Sequence, residues 1–141
     1  MRLLDRKRIF IVEDNPANRA ITTALLTRNG ADVRIERSGF DAVRQLKTFR
    51  PVDLIILDLM LSEELSGYDV FDQIRALPEI KDIPIVAVSA MDTSIAIPEC
   101  QRKGFNGFIS KPIEFTLFAE QIAKIINGEA IWYTNQQNDF R

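Results

Sequence analysis

The run Leu54-Ile55-Ile56-Leu57, closing directly on Asp58, constrains this chain more than any other stretch. Four apolar residues with no period-two alternation describe a strand buried on both faces. Such a strand belongs inside a parallel sheet with helices on either side. It delivers Asp58 to the carboxyl edge of that sheet, where open α/β folds bind their ligands. Ile9-Phe10-Ile11-Val12 has the same design and ends on Glu13-Asp14. Pro84-Ile85-Val86-Ala87-Val88 delivers Ser89, and the short Gly107-Phe108-Ile109-Ser110 delivers Lys111-Pro112.

Helices are expected between these strands. Asn15-Pro16 reads as a helix start, since Asn caps free N–H groups and proline needs no donor in the first turn. Ile21, Ala24 and Leu25 supply its apolar face, and Asn29-Gly30 its left-handed end. Val33 and Ile35 alternate with charged neighbours, as on a strand near the sheet edge. Ala42, Val43, Leu46 and Phe49 define a second helix; Ser66 caps a third through Val70, Phe71, Ile74 and Leu77. Pro98 falls inside the fourth, between Asp92 and Lys103, where an interior proline costs roughly 3 kcal/mol. That helix is expected to be short, restarted or irregular. Phe115, Phe118, Ile122 and Ile125 give the fifth its face.

Five βα units in sequence predict an α/β fold with a doubly wound parallel sheet and right-handed crossovers. One domain over residues 1–128 accounts for them, leaving a short tail, 129–141, with no room for an output domain. Trp132 and Tyr133 are expected to pack back on the domain, and the polar run from Thr134 to Asp139 to be mobile.

Composition removes several classes of function. The chain has no histidine, so histidine acid–base chemistry and histidine metal ligands are both excluded. A single cysteine, Cys100, allows no internal disulfide and fits a reducing, cytoplasmic setting. A net charge of −2 without a dense basic cluster gives no case for nucleic acid, and no apolar run approaches membrane-spanning length.

What remains is the carboxyl edge. Glu13, Asp14 and Asp58 converging there repel one another unless a cation lies among them. Oxygen ligands alone favour a hard ion such as Mg²⁺, which takes one or two carboxylates with water and phosphate. Lys111 and Ser89 across the crevice offer a charge and a donor to phosphoryl oxygens. Asp58 then has a role as nucleophile toward a phosphoryl group, a transfer that asks mainly for positioning and charge neutralisation.

On Glu13-Asp14-Asn15, Asp58 after its apolar strand, Ser89-Ala90 and Lys111-Pro112, the chain resembles the receiver domains of two-component response regulators over residues 8 to 128. The resemblance implies a flavodoxin-like strand order, 2-1-3-4-5. It also implies Mg²⁺ (or Mn²⁺) held by Asp14, Asp58 and the main-chain carbonyl of Met60, with Glu13 acting through water. Asp58 is the expected phosphorylation site, served by a sensor histidine kinase or a histidine phosphotransfer protein. Ser89 and Lys111 are expected to bind the phosphoryl oxygens, Ser89 and Phe108 to switch, and Lys111-Pro112 to be cis. The expected product is a phosphoprotein that changes its protein partners, or forms a homodimer, through the fourth helix, fifth strand and fifth helix. It is not expected to be an enzyme beyond self-phosphorylation from a donor and slow self-dephosphorylation.

Two departures from the family pattern stand out. Leu61-Ser62 replaces the usual Met/Leu-Pro pair, and Gly67 lies nine positions beyond Asp58 rather than eight, a one-residue insertion with Glu63 and Glu64 in the loop. Met60 and Met91 stand two positions beyond Asp58 and Ser89, where apolar side chains cannot orient a hydrolytic water; this predicts the slow self-dephosphorylation. Rival readings are a receiver fold that docks partners without phosphorylation, a haloacid-dehalogenase-type phosphatase, and a flavodoxin-like nucleotide binder. The phosphatase would need a second acid where Met60 stands, and the nucleotide binder a glycine-rich phosphate loop that is absent.

Overall fold

The computed structural model describes residues 2–135. In chain order the elements are β1 (Arg8–Val12), α1 (Pro16–Arg28), β2 (Asp32–Glu36), α2 (Gly39–Thr48), β3 (Leu54–Leu57), α3 (Gly67–Arg75), β4 (Ile85–Ser89), α4 (Thr93–Lys103), β5 (Gly107–Ser110), α5 (Phe118–Ile126) and β6 (Ile131–Tyr133). The sheet is parallel throughout, in the order β2-β1-β3-β4-β5-β6. The expected order holds, and a sixth strand is added from the segment expected to be a tail.

The unalternating apolar runs become intelligible once both faces are covered. Phe10, Val12, Ile55, Leu57, Ile85, Ala87 and Phe108 point into one core, shared with Ala42, Leu46, Val70, Phe71, Ala96 and Cys100 of α2, α3 and α4. Ile9, Ile11, Leu54, Ile56, Val86, Val88 and Ile109 point into the other, against Leu25, Leu26, Phe118, Ile122 and Ile125 of α1 and α5. Alternation exists, but both of its phases are apolar.

Local signals act as expected at most helix ends. The Asn15 side chain accepts from Asn18 N–H, and Ser66 forms a capping box with Asp69. Gly30, Gly104 and Gly128 take positive φ just past their helices.

Four expectations need correction. Pro98 does not break α4, which runs uninterrupted for 11 residues from its Asp92 cap to Gly104, anchored inward by Ala96 and Cys100. The inward face of α1 is Thr22, Leu25 and Leu26, whereas Ile21 is 39% exposed. Phe115 lies outside α5: a turn closed by Leu117 and Phe118 N–H onto the Glu114 carbonyl precedes the helix, leaving Phe115 60% exposed.

The fourth concerns the tail. Trp132 and Tyr133 do pack on the two cores, but as part of β6, in parallel register with β5. Asn135 is fastened rather than loose, hydrogen-bonded to Ser110 and Pro112. The remainder of the polar run, from Gln136, lies outside the described residues.

Candidate functional site

Parallel pairing in register brings the strand ends to one edge. Asp58 N–H donates to the Val12 carbonyl (3.1 Å), placing Asp58 beside Glu13, and Lys111 N–H donates to the Ser89 carbonyl (2.9 Å), placing the lysine beside the serine. Glu13, Asp14 and Asp58 each present a carboxylate oxygen within 4.8 Å of the others. Glu13 and Asp58 are both 5% exposed, and Asp14 faces solvent. The group thus has two buried acids and an open side.

Lys111 bridges the buried pair, its Nζ 2.6 Å from Glu13 Oε1 and 3.0 Å from Asp58 Oδ2. Two carboxylates in a dry site would be costly if unpaired, so the ammonium acts as their counter-ion. Burial still pushes the Glu13 pKa up, and the nearby Asp58 charge adds to that rise, while the Lys111 hydrogen bond and charge and the Asn15 N–H (3.1 Å) oppose it. Burial works against the charge on Lys111 as well, but the bonds and charges of Glu13 and Asp58 outweigh it and raise its pKa. The lysine is therefore held as a cation.

The other expected residues fall around this core. Met60 N–H donates to Asp58 Oδ1 (3.1 Å), and its side chain is 55% exposed at the mouth. Ser89 is buried, its Oγ accepting from Met91 N–H (3.3 Å). The Met91 sulfur accepts from the Tyr68 hydroxyl (3.7 Å). Phe108 is fully buried and pairs in register with Trp132. The Lys111-Pro112 peptide is cis, as is Arg50-Pro51 on the opposite edge.

The inserted residue is absorbed at the surface. Ser62 and Leu65 close a small turn, with Leu65 N–H on Ser62 Oγ (3.0 Å) and Ser62 N–H on the Leu65 carbonyl (3.3 Å). Leu65 inserts into the core, and Glu63 and Glu64 stand exposed at the tip. Gly67 consequently keeps its place against the acceptor strand, its N–H on the Leu59 carbonyl (2.9 Å). A Cβ there would lie 2.2 Å from the Asp58 carbonyl oxygen and 2.6 Å from Leu59 Cα, so only glycine lets α3 start this close to Asp58.

Two features escaped sequence reasoning. Arg19 reaches back to the Glu13 and Asp14 carbonyls (3.1 and 2.8 Å), fastening the β1–α1 turn that carries both acids. Asn135 fastens the loop that carries Lys111. Neither had a signal in the sequence, because each partner is a main-chain group or a single hydroxyl brought close only by the fold.

A parallel doubly wound sheet with an acidic cluster and a lysine at its carboxyl edge defines a class, and comparison with known proteins gives its membership. The chain matches the model of the response regulator receiver domain over residues 9–123, and it belongs to that family. It is 33% identical over 124 residues to the polar-differentiation response regulator DivK of Brucella anthropi, an alignment covering 88% of this chain and 98% of DivK. It is also 33% identical over 105 residues to the two-component response regulator ORR7 of Oryza sativa subsp. japonica; that match takes in 74% of this chain but spans only 50% of ORR7. Among solved structures, the receiver domain of sensor histidine kinase PA1611 from Pseudomonas aeruginosa PAO1 superposes with a TM-score of 0.76 at 29% identity. The match covers 86% of this chain and 98% of that one, and that structure holds a magnesium ion in its active site cleft.

Proposed function

We propose that Asp58 accepts a phosphoryl group from a histidine kinase or histidine phosphotransfer protein and that the resulting aspartyl phosphate changes which proteins the domain binds. The observation that carries this reading is the buried Lys111 bridge between Glu13 and Asp58 at the strand ends. In the transfer, an Asp58 carboxylate oxygen bonds to phosphorus as the phosphorus–nitrogen bond of the donor breaks, and the electron pair leaves with the imidazole. Lys111 and the Ser89 hydroxyl take the charge that spreads over the phosphoryl oxygens.

The donor set fits a hard divalent ion: carboxylate oxygens alone, within 4.8 Å of one another, on a crevice open at Asp14. Asp14, Asp58 and the Met60 carbonyl would hold Mg²⁺ or Mn²⁺, with Glu13 acting through water. When bound, the ion supplies positive charge against the phosphoryl oxygens.

Beside Lys111 lies an apolar groove of about 120 Å³, lined by Ile21 and Thr22 of α1 and by Val88, Pro112, Ile113 and Phe115. The exposure of Ile21 and Phe115 makes sense as docking area for the phosphodonor protein. A homodimer or target on the side of α4, β5 and α5 would meet β6 as well, since β6 pairs with β5.

Intact mass after incubation with Mg²⁺ and acetyl phosphate tests the acceptor. The wild-type chain is expected to gain one phosphoryl group and Asp58→Asn none. A gain retained by Asp58→Asn overturns the assignment. Absence of any gain, even with a kinase, leaves the receiver fold as a phosphorylation-independent docking module.

The aspartyl phosphate is expected to hydrolyse slowly, because Met60 and Met91, two positions beyond Asp58 and Ser89, offer no group to orient water. Met60→Asn should speed hydrolysis up to about tenfold, a change of about 1.4 kcal/mol in the barrier. Following the loss of phosphoprotein by mass decides it, and an unchanged rate removes Met60 from the account.

A further inference from the structure

We propose that Asn135 is a positioning residue for Lys111, clasping the chain on both sides of that lysine so that its ammonium group is held over Glu13 and Asp58. The proposal rests on the acceptor reading above and adds to it a residue beyond the span of the family match, which ends at 123.

The clasp is built from three hydrogen bonds. Asn135 N–H donates to Ser110 Oγ (2.8 Å), Ser110 Oγ donates to Asn135 Oδ1 (3.0 Å), and Asn135 Nδ2 donates to the Pro112 carbonyl. Ser110 precedes Lys111 and Pro112 follows it. One side chain therefore holds both neighbours of the lysine. Ser110 is 1% exposed, and a buried hydroxyl requires partners; Asn135 serves as both donor and acceptor for it.

Asn135 is itself delivered by β6. Ile131, Trp132 and Tyr133 run parallel to Gly107, Phe108 and Ile109. The two backbones come so close that a Cβ on Gly107 would lie 2.7 Å from the Ile131 carbonyl oxygen and 3.1 Å from Ile125 Cδ1. Only Thr134 separates Tyr133 from the clasp, which leaves little slack between the strand and the bonds it presents.

Lys111 has two tasks that pull in opposite directions. It neutralises Glu13 and Asp58, and so competes with any cation for those carboxylates. It must also stand ready to receive phosphoryl oxygens at Asp58. A looser Lys111 competes less well and catalyses less well. Removing the Asn135 side chain should therefore tighten Mg²⁺ binding while slowing phosphoryl transfer, and general damage to the site would weaken both.

The test uses the full chain and Asn135→Ala. Calorimetric titration with Mg²⁺ gives the affinity, and intact mass over time with acetyl phosphate at saturating Mg²⁺ gives the rate of phosphorylation. The variant is expected to bind Mg²⁺ about threefold more tightly and to be phosphorylated up to about tenfold more slowly, the lower end of what residues orienting a site's own ligands contribute. Changes in the same direction, or neither quantity moving by more than about twofold, overturn the proposal. If Asn135→Ala loses its thermal transition, Ser110→Ala cuts the other half of the clasp and is held to the same pair of signs. A wild-type chain that takes up no phosphoryl group from acetyl phosphate or from a kinase would overturn the acceptor reading instead. The Mg²⁺ arm would still decide the role of Asn135, with tightening in its favour and no change or weakening against it.

Discussion

The two ends of the sheet both carry buried or half-buried cations, and they use them differently. At the amino end, Arg8 donates to the Pro51 and Phe49 carbonyls (2.7 and 2.6 Å), pairs with Asp32 (2.5 Å) and stacks 4.0 Å over the Phe49 ring. Arg75 donates to the Lys81 and Ile83 carbonyls (2.9 and 2.8 Å) and to Asn106 (3.3 Å), over the ring of Phe71. Burial lowers its pKa, with Asp82 opposing. These guanidinium forks are fixed to main-chain acceptors and hold turns in place. At the carboxyl end, Lys111 meets two side-chain carboxylates, partners that under the proposed function a divalent ion would share. A planar fork suits permanent acceptors, and a point charge on a flexible stem suits exchangeable ones. Charge at one end maintains the fold; at the other it is available for chemistry.

Substitution should separate the two roles. Lys111→Met is expected to slow phosphorylation by acetyl phosphate about 10²- to 10³-fold, the cost of losing one aimed donor to developing charge, and to leave a cooperative folding transition. Arg75→Met is expected to do the reverse. Loss of its charge-assisted bonds should lower unfolding free energy by about 2–3 kcal/mol, read by urea titration, with the phosphorylation rate of folded molecules within twofold of wild type. If Arg75→Met slowed phosphorylation as much as Lys111→Met, the division between the ends would fail.

The acidic end was legible in the sequence and the amino end was not, for a physical reason. Glu13, Asp14, Asp58, Ser89 and Lys111 each follow an apolar run, and parallel pairing turns that shared position into proximity. Caps at Asn15 and Ser66 are local, and a local signal needs no fold to be read. Arg8 and Arg75 bind mostly main-chain carbonyls, which have no sequence identity, and their side-chain partners Asp32 and Asn106 come near only through the fold. The same holds for Asn135, whose partners include a loop carbonyl and a hydroxyl. β6 is three residues long, too short for any periodicity, and its place comes from the free edge of β5. Ile21 and Phe115 misled because apolar type was taken for burial, whereas they line an outer groove. Pro98 misled because a local cost was set against no tertiary gain, and Ala96 and Cys100 supply that gain by seating α4 on the core.

Between the two ends lies Cys100, and its chemistry can report whether they communicate. The thiol is wholly buried on α4, and burial pushes its pKa from 9.0 up to about 12, with the Tyr68 hydroxyl pulling the other way. Tyr68 touches both neighbourhoods: its hydroxyl donates to Met91, beside Ser89, and its ring packs edge-on to Phe105, which stacks on Phe71. A raised thiol pKa means that the neutral form stabilises the fold. That contribution is complete below pH 9.0 and is lost as the pH rises through about 12. At pH 9 the native thiolate fraction should be lower than that of an unfolded chain by a factor of several hundred, since each pKa unit is tenfold. Iodoacetamide should then label the chain in urea and leave the native chain unlabelled over the same time. If the ends are independent, Mg²⁺ leaves the native labelling rate unchanged. Faster labelling on adding Mg²⁺ would mean that filling the acidic crevice loosens Tyr68 from Cys100, and the middle of the core would then carry a signal between the two ends.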